Sequence, residues 1–357
     1  MTYASVSSLA RALVVAGAVA ALASAGLSGQ TASDLPGAAA AKGIVEFAMA
    51  KGYTPPKMPW GHPDIQGVFT TKDEANTPFE RPEEWAGRRM EDITPKELAE
   101  AVAKRQQAAT ESAPFAGGGE VEEGVAIAVP IHWFDNLAAM NSRPWFVIDP
   151  SDGKVPPLAP EAATRQFARG RNGGGRDSYT DRNLNDRCVA MTWRQPTLYG
   201  NSYQIVQTPD HVILRREQIH EAQVIPLDGR PHVNSSIRTY EGDARGHWEG
   251  NTLVVVTKNF ALNVPLRAGI RRGGFGRAEQ TPSPSLTVIE RFTRIAPNKV
   301  EWTVTYDDPG TWTRPWTYSM PLTQDATQMI HEYACHEGNY GLANILSAGR
   351  SADEGGK

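Results

Sequence analysis

From position 203 onward the chain alternates apolar and polar residues with a period of two, and turn residues break the alternation at short intervals. The pattern predicts strands at 203–207, 211–216, 222–226, 236–241, 252–260, 285–295, 299–306, 316–322 and 328–334. Pro209-Asp210, Asp228-Gly229, Gly250-Asn251, Pro297-Asn298 and Pro309-Gly310 supply turns between them. Such a series of strands with mostly short links describes an antiparallel meander. A closed lipocalin-like barrel would hide both edges of the meander and hold one small ligand, and a two-sheet sandwich is the alternative. The expected fold class is therefore mainly β, preceded by a smaller region with short helices.

Upstream the pattern is different. Thr94-Pro95-Lys96-Glu97 has the residues of a helix start: a capping threonine, proline at the first helical position and a glutamate that completes a capping box. The helix is expected to run to about Thr110, and a second, short one to open at Pro160. Trp145-Phe146-Val147-Ile148 reads as a short buried strand, and Asp149-Pro150-Ser151-Asp152-Gly153 as the turn after it. Near the start, Arg11 precedes an apolar run, Ala12 to Leu22, and then Ala23-Ser24-Ala25. This is the layout of a secretory signal, and the run is shorter than the ~20 residues a membrane span needs. The expected organisation is a signal peptide at 1–25, a flexible leader at 26–61 and an N-terminal region at 62–200. An antiparallel β domain at 201–348 and a disordered tail at 349–357 complete it.

Charge and cysteine content refine this picture. With 36 basic and 40 acidic residues, the formal charge is -4, which offers no footprint for nucleic acid or an anionic membrane. The two cysteines, Cys188 and Cys335, favour a disulfide in an exported, periplasmic or secreted chain. No later segment has the length and apolarity of a membrane span.

Candidate chemistry comes from strand faces. Leu286, Val288 and Phe292 share their face with Glu290, whose carboxyl would then lie on an apolar surface and suit a general acid or base. Arg215 shares a face with Ile213 and is the expected anion clamp. Trp302 and Tyr306 on one strand, with Trp316 and Tyr318 on the next, would wall a small-ligand pocket. His220 and His331 are the expected proton shuttles, and His247 lies at a similar strand end. His331-Glu332-Tyr333-Ala334-Cys335-His336 misses the spacing of a zinc helix by one residue. No serine elbow, dinucleotide loop or phosphate loop is present in the sequence, and no cofactor is expected. Residues 263–284 hold Arg267, Arg271, Arg272 and Arg277 among glycines, as a lid over an anionic ligand would or as a solvated loop would.

Several segments recur together in a set of secreted bacterial proteins, and the chain resembles that family over most of its length. They are PDIQGVF from Pro63, TPFERP from Thr77, DGKVPPL from Asp152, YQIVQTPD from Tyr203, PLDGRP from Pro226, GHWEGNTLVV from Gly246 and EYACHEGNY from Glu332. The resemblance implies export and a shared architecture, and it lends no activity and no catalytic residues. GHWEGNTL is also similar to hairpins of calycin-type barrels, a fold-level analogy. The leading expectation is an exported small-molecule enzyme of lyase, isomerase or hydrolase type. Its acid–base chemistry would need no metal and would act on a sugar-like or aromatic ligand. The alternative is a non-catalytic lipocalin-like carrier. A structural or interaction protein follows if the β interior is fully packed.

Overall fold

The computed structural model describes residues 49–74, 77–111, 142–165, 177–182, 184, 186–190, 202–262, 266–267, 279–280, 282–324 and 329–355. The expected signal peptide and most of the leader lie outside these residues. The strands are β1 (Gly67–Thr70), β2 (Val147–Asp149), β3 (Ser202–Gln207), β4 (His211–Arg216), β5 (Ala222–Pro226) and β6 (Asp243–Glu249). They continue with β7 (Thr252–Lys258), β8 (Leu266–Arg267), β9 (Glu279–Gln280), β10 (Thr287–Ala296), β11 (Lys299–Asp307) and β12 (Trp316–Gln324). Among the described residues three α-helices accompany them: α1 (Pro95–Glu111), α2 (Pro160–Thr164) and α3 (Tyr340–Gly355).

Ten strands form one antiparallel sheet in the order β5-β4-β3-β1-β12-β11-β10-β7-β6, with β2 pairing on β12 beyond β1. The fold is thus mainly β, as the alternation predicts, and the sheet is not closed by a hydrogen-bonded ladder. Its two ends nevertheless meet through side chains. A Cβ on Gly246 of β6 would lie 2.8 Å from Ile225 Cγ2 and 2.8 Å from Leu227 Cδ2, so β5 and β6 face each other across a glycine. Alternate residues of every long strand point into the enclosed space. They include Val212 and Leu214 of β4, Leu253 and Val255 of β7, Val288 and Phe292 of β10, and Trp302 and Val304 of β11. This is the arrangement of a curled sheet that buries one face in a single core.

Several boundaries differ from the expected ones. The break expected at 201 does not separate two bodies, because β1 is inserted between β3 and β12 and belongs to the same sheet. No strand forms at 236–241. There Ser236 N–H is turned onto Asn234 Oδ1 at 2.9 Å, Thr239 makes one bridge to Phe260, and the strand starts instead at Asp243. Residues 329–334 form no strand either. Residues 340–355 are helical where a β end and a disordered tail were expected. Leu342, Ile345 and Leu346 are its half-buried positions at helical spacing.

Two local expectations, the helix cap and the disulfide, are met. Thr94 and Glu97 cap α1 reciprocally, with Thr94 N–H to Glu97 Oε2 at 2.9 Å and Glu97 N–H to Thr94 Oγ1 at 3.3 Å. Cys188 and Cys335 form a disulfide, their Cα atoms 5.7 Å apart. Trp248 packs on the core beneath the β6–β7 turn. Of the expected lid, residues 263–265, 268–278 and 281 lie outside the described residues. Among the described residues no helix is long and apolar enough to cross a membrane.

Candidate functional site

The inner face gathers most of the residues that the sequence marks. Register pairs Phe292 with Trp302 and Tyr306 with Trp316. The Trp302 ring stacks on Phe292 with centroids 5.9 Å apart, and its Nε1–H donates to Glu290 Oε1 at 3.2 Å. Tyr306 stacks on Trp316 at 4.8 Å, and Tyr318 lies 6.3 Å from both Trp302 and Trp316. Glu290, Trp302, Trp316 and Tyr318 are each 0 % exposed, so this aromatic wall is solid core. One seam, lined by Ile65, Ile205, Val212, Leu214, Ile225, Leu253 and Phe292, is wholly apolar and has no room for a water molecule.

The expected clamp, Arg215, is on the wrong face. Val212, Leu214 and Arg216 point inward along β4, which leaves Ile213 and Arg215 on the outer face. Three consecutive apolar residues followed by two arginines carry no parity signal, and a one-residue slip exchanges every side chain between faces. Arg216 is therefore the interior cation. Its Nη1 donates to Glu241 Oε2 at 2.8 Å and to Glu221 Oε2 at 3.3 Å. Burial works against its charge, yet the carboxylates of Glu241, Glu221 and Glu290 hold its pKa above the ordinary value. His220 is exposed in the turn after β4. His331, also exposed, donates its backbone N–H to Glu217 Oε2 at 3.2 Å, next to the same turn. Neither imidazole hydrogen-bonds within the described residues, and neither belongs to the core that holds Glu290.

A more complete constellation stands on the outer side of β6. Residues 227–242 cross from β5 to β6 without regular structure and are pinned at several points. Asn259 Nδ2 donates to Val233 O at 3.0 Å, Arg238 Nη1 to Phe260 O at 3.1 Å and Arg245 Nε to Pro231 O at 3.1 Å. The loop brings His232 Nδ1 to 3.0 Å from Asp243 Oδ2. The same oxygen accepts Val233 N–H at 2.9 Å, and Oδ1 accepts Arg245 Nη1 at 2.5 Å. An ionised carboxylate only accepts, so Nδ1 carries the proton and Nε2 the lone pair. His232 Nε2 has no hydrogen-bond partner among the described residues.

The electrostatics match this arrangement. Burial lowers the pKa of His232, Asp243 opposes that, and the cations Arg245 and Lys258 add to the lowering, so the net direction is down. For Asp243, burial acts upward and is outweighed by the Val233 N–H, Arg245 and His232, so its pKa is lowered. A base that is neutral near pH 7 and held by an ionised carboxylate results.

Sequence reading misses this pair for a definite reason. The strand expected at 236–241 shortens the loop on paper, and His232 then looks like an ordinary turn residue after Pro231. A long loop between two adjacent strands is the signal that points to it. Comparison of the chain with family models, with curated proteins and with solved structures finds no match in any of the three.

Proposed function

We propose that the protein is an exported enzyme of the secreted bacterial family that its segments resemble, working on a small molecule by acid–base chemistry of hydrolase, lyase or isomerase type. Its sheet is read as a lipocalin-like barrel whose last seam is closed by side chains. The catalytic pair is His232 with Asp243, in place of Glu290 with His220 or His331. One observation carries this reading: the His232 imidazole is fixed through Nδ1 by a carboxylate that three donors hold, while Nε2 remains available. That is the division of labour a general base needs.

In the hydrolytic form, Nε2 takes a proton from water as the water oxygen bonds to an ester carbonyl carbon. The tetrahedral intermediate then expels the leaving oxygen, which receives that proton from the His232 imidazolium. Asp243 stays ionised throughout and stabilises the imidazolium. Hydrolysis of 4-nitrophenyl acetate across pH tests the assignment. kcat/KM is expected to fall on the acid side with a midpoint below 6.5, the ordinary histidine value. His232→Gln should lower it by roughly 10²–10⁴ while the unfolding temperature holds. Full turnover by this variant would sink the reading.

A further inference from the structure

Beside the His232–Asp243 pair, β-register builds a polar row. Asp243 of β6 faces Lys258 of β7, Thr257 faces Val288 of β10, and Thr287 faces Asp307 of β11. Because Thr257 is one residue from Lys258 and Val288 one from Thr287, Lys258 and Thr287 are adjacent on the outer face. Asp243, Lys258, Thr287 and Asp307 thus run side by side across four strands, at the ~4.8 Å interval of a sheet.

Lys258 is singled out by what does not hold it. Asp243 is already engaged by Arg245 at 2.5 Å, and Lys258 forms no hydrogen bond or ion pair among the described residues. Asp307, at the far end of the row, makes no ion pair with it either. Burial and the neighbouring Asp308 raise the Asp307 pKa, and Lys258 offsets part of that rise. The cation is therefore positioned beside the base, with its ammonium in no hydrogen bond or ion pair among the described residues.

We propose that Lys258 is a substrate-binding residue that selects a small ester or related acyl compound bearing a carboxylate, holding that carboxylate while His232 acts on the carbonyl a few bonds away. The proposal rests on the acid–base reading of His232. One strand interval of ~4.8 Å separates Lys258 from Asp243, the partner of His232, and the charge of Lys258 acts on the His232 ring, so a short dicarboxylic half-ester such as a succinyl ester is the fitting probe. An uncharged acyl group of the same size would gain nothing from Lys258.

Two measurements test it. The first compares mono-4-nitrophenyl succinate with 4-nitrophenyl acetate, which share leaving group and chemistry and differ in the carboxylate. In Lys258→Met the preference for the succinate half-ester over the acetate, as the ratio of their kcat/KM values, should fall about fivefold to tenfold, the scale of one partly screened charge pair. Lys258→Arg should retain the preference. An equal loss on both esters, or no loss on either, overturns the proposal.

The second measurement needs no turnover. Free succinate is titrated while the His232 Cε1–H resonance is followed, and Lys258→Met should raise the half-saturating concentration at least about fivefold. A resonance that succinate does not move, or moves equally in the variant, also overturns it. His232→Gln with unchanged hydrolysis, while Lys258 still governs succinate binding, would remove the catalytic reading and leave the anion site standing.

Discussion

The two faces of the β6–β7–β10 region hold ionisable groups in opposite circumstances. Inside, Glu290 is 0 % exposed, receives the Trp302 indole N–H and shares Arg216 with Glu221 and Glu241. Outside, His232 is clamped at one nitrogen and has no hydrogen-bond partner at the other among the described residues. A carboxylate on an apolar strand face looks catalytic in the sequence because desolvation perturbs its pKa. The same desolvation keeps a substrate away from it. A buried ionisable group is a functional candidate only where one of its atoms is left without a protein partner, as His232 Nε2 is among the described residues.

The comparison breaks most visibly if the inner charges are dispensable. Arg216→Met removes a buried cation that donates to Glu221 and Glu241 and interacts electrostatically with Glu290. The expected cost is about 3–5 kcal/mol, read as a lower midpoint in urea unfolding at pH 7. A cost below ~1 kcal/mol would mean that the inner charges are not coupled as the geometry indicates.

Closure of the sheet comes next in size. Gly246→Val puts a side chain against Ile225 and Leu227, where even a Cβ would lie at 2.8 Å. Overpacking there should destabilise by about 1–3 kcal/mol. Asp210→Asn, in the β3–β4 turn where the Asp210 carbonyl accepts the Leu227 N–H at 2.8 Å, changes no steric fit and serves as the control. A neutral result for the valine variant would mean that the β5–β6 seam yields without strain.

Asp243→Asn sharpens the outer half. The amide can present an N–H to His232 and so reverse the tautomer, while keeping the shape of the side chain. Esterase kcat/KM should drop at least about tenfold with a smaller loss of stability, about 1 kcal/mol, for the weakened Val233 and Arg245 contacts. If activity and stability fall in parallel, Asp243 is a loop staple and not a positioning residue.

The strand ladder was largely legible because β-branched and aromatic residues at period two specify a half-buried face at 203–226, 252–260 and 285–322. The helix cap at Thr94 and the cysteine pair were legible for equally local reasons. Parity was not: Val212-Ile213-Leu214-Arg215-Arg216 is apolar on both faces and then basic on both, so the interior arginine had no signature. Topology was also hidden, since insertion of β1 between β3 and β12 joins Phe69 to Tyr203 and Gln324 across long stretches of chain. The outer site depends on that kind of information. His232 acquires meaning only when the loop folds back on Asp243, and Lys258 only when register sets it beside them.

The smallest expected effects are in the pH dependence of stability, where two groups on the outer side of the sheet carry opposite signs. The folded-state pKa of His232 is lowered from 6.5, chiefly by burial. The unfolded chain then binds more protons in the window just below 6.5, so stability is complete above that pH and declines as pH falls through it. Glu74 behaves in the other direction. Burial raises its pKa above 4.5, although it accepts the Ser142 N–H and the Thr77 hydroxyl and has Arg143 nearby. The fold binds the extra proton here, so its contribution is present at and below pH 4.5 and is lost as pH rises to the folded value. Urea midpoints recorded in small pH steps should show a shallow minimum between 4.5 and 6.5, rising on either side of it. His232→Gln should remove only the dependence that begins at 6.5, and Glu74→Gln only the one that begins at 4.5. A decline below 6.5 that survives His232→Gln unchanged would show that its imidazole titrates alike in both states, and would take away the electrostatic basis for a neutral base on the outer face.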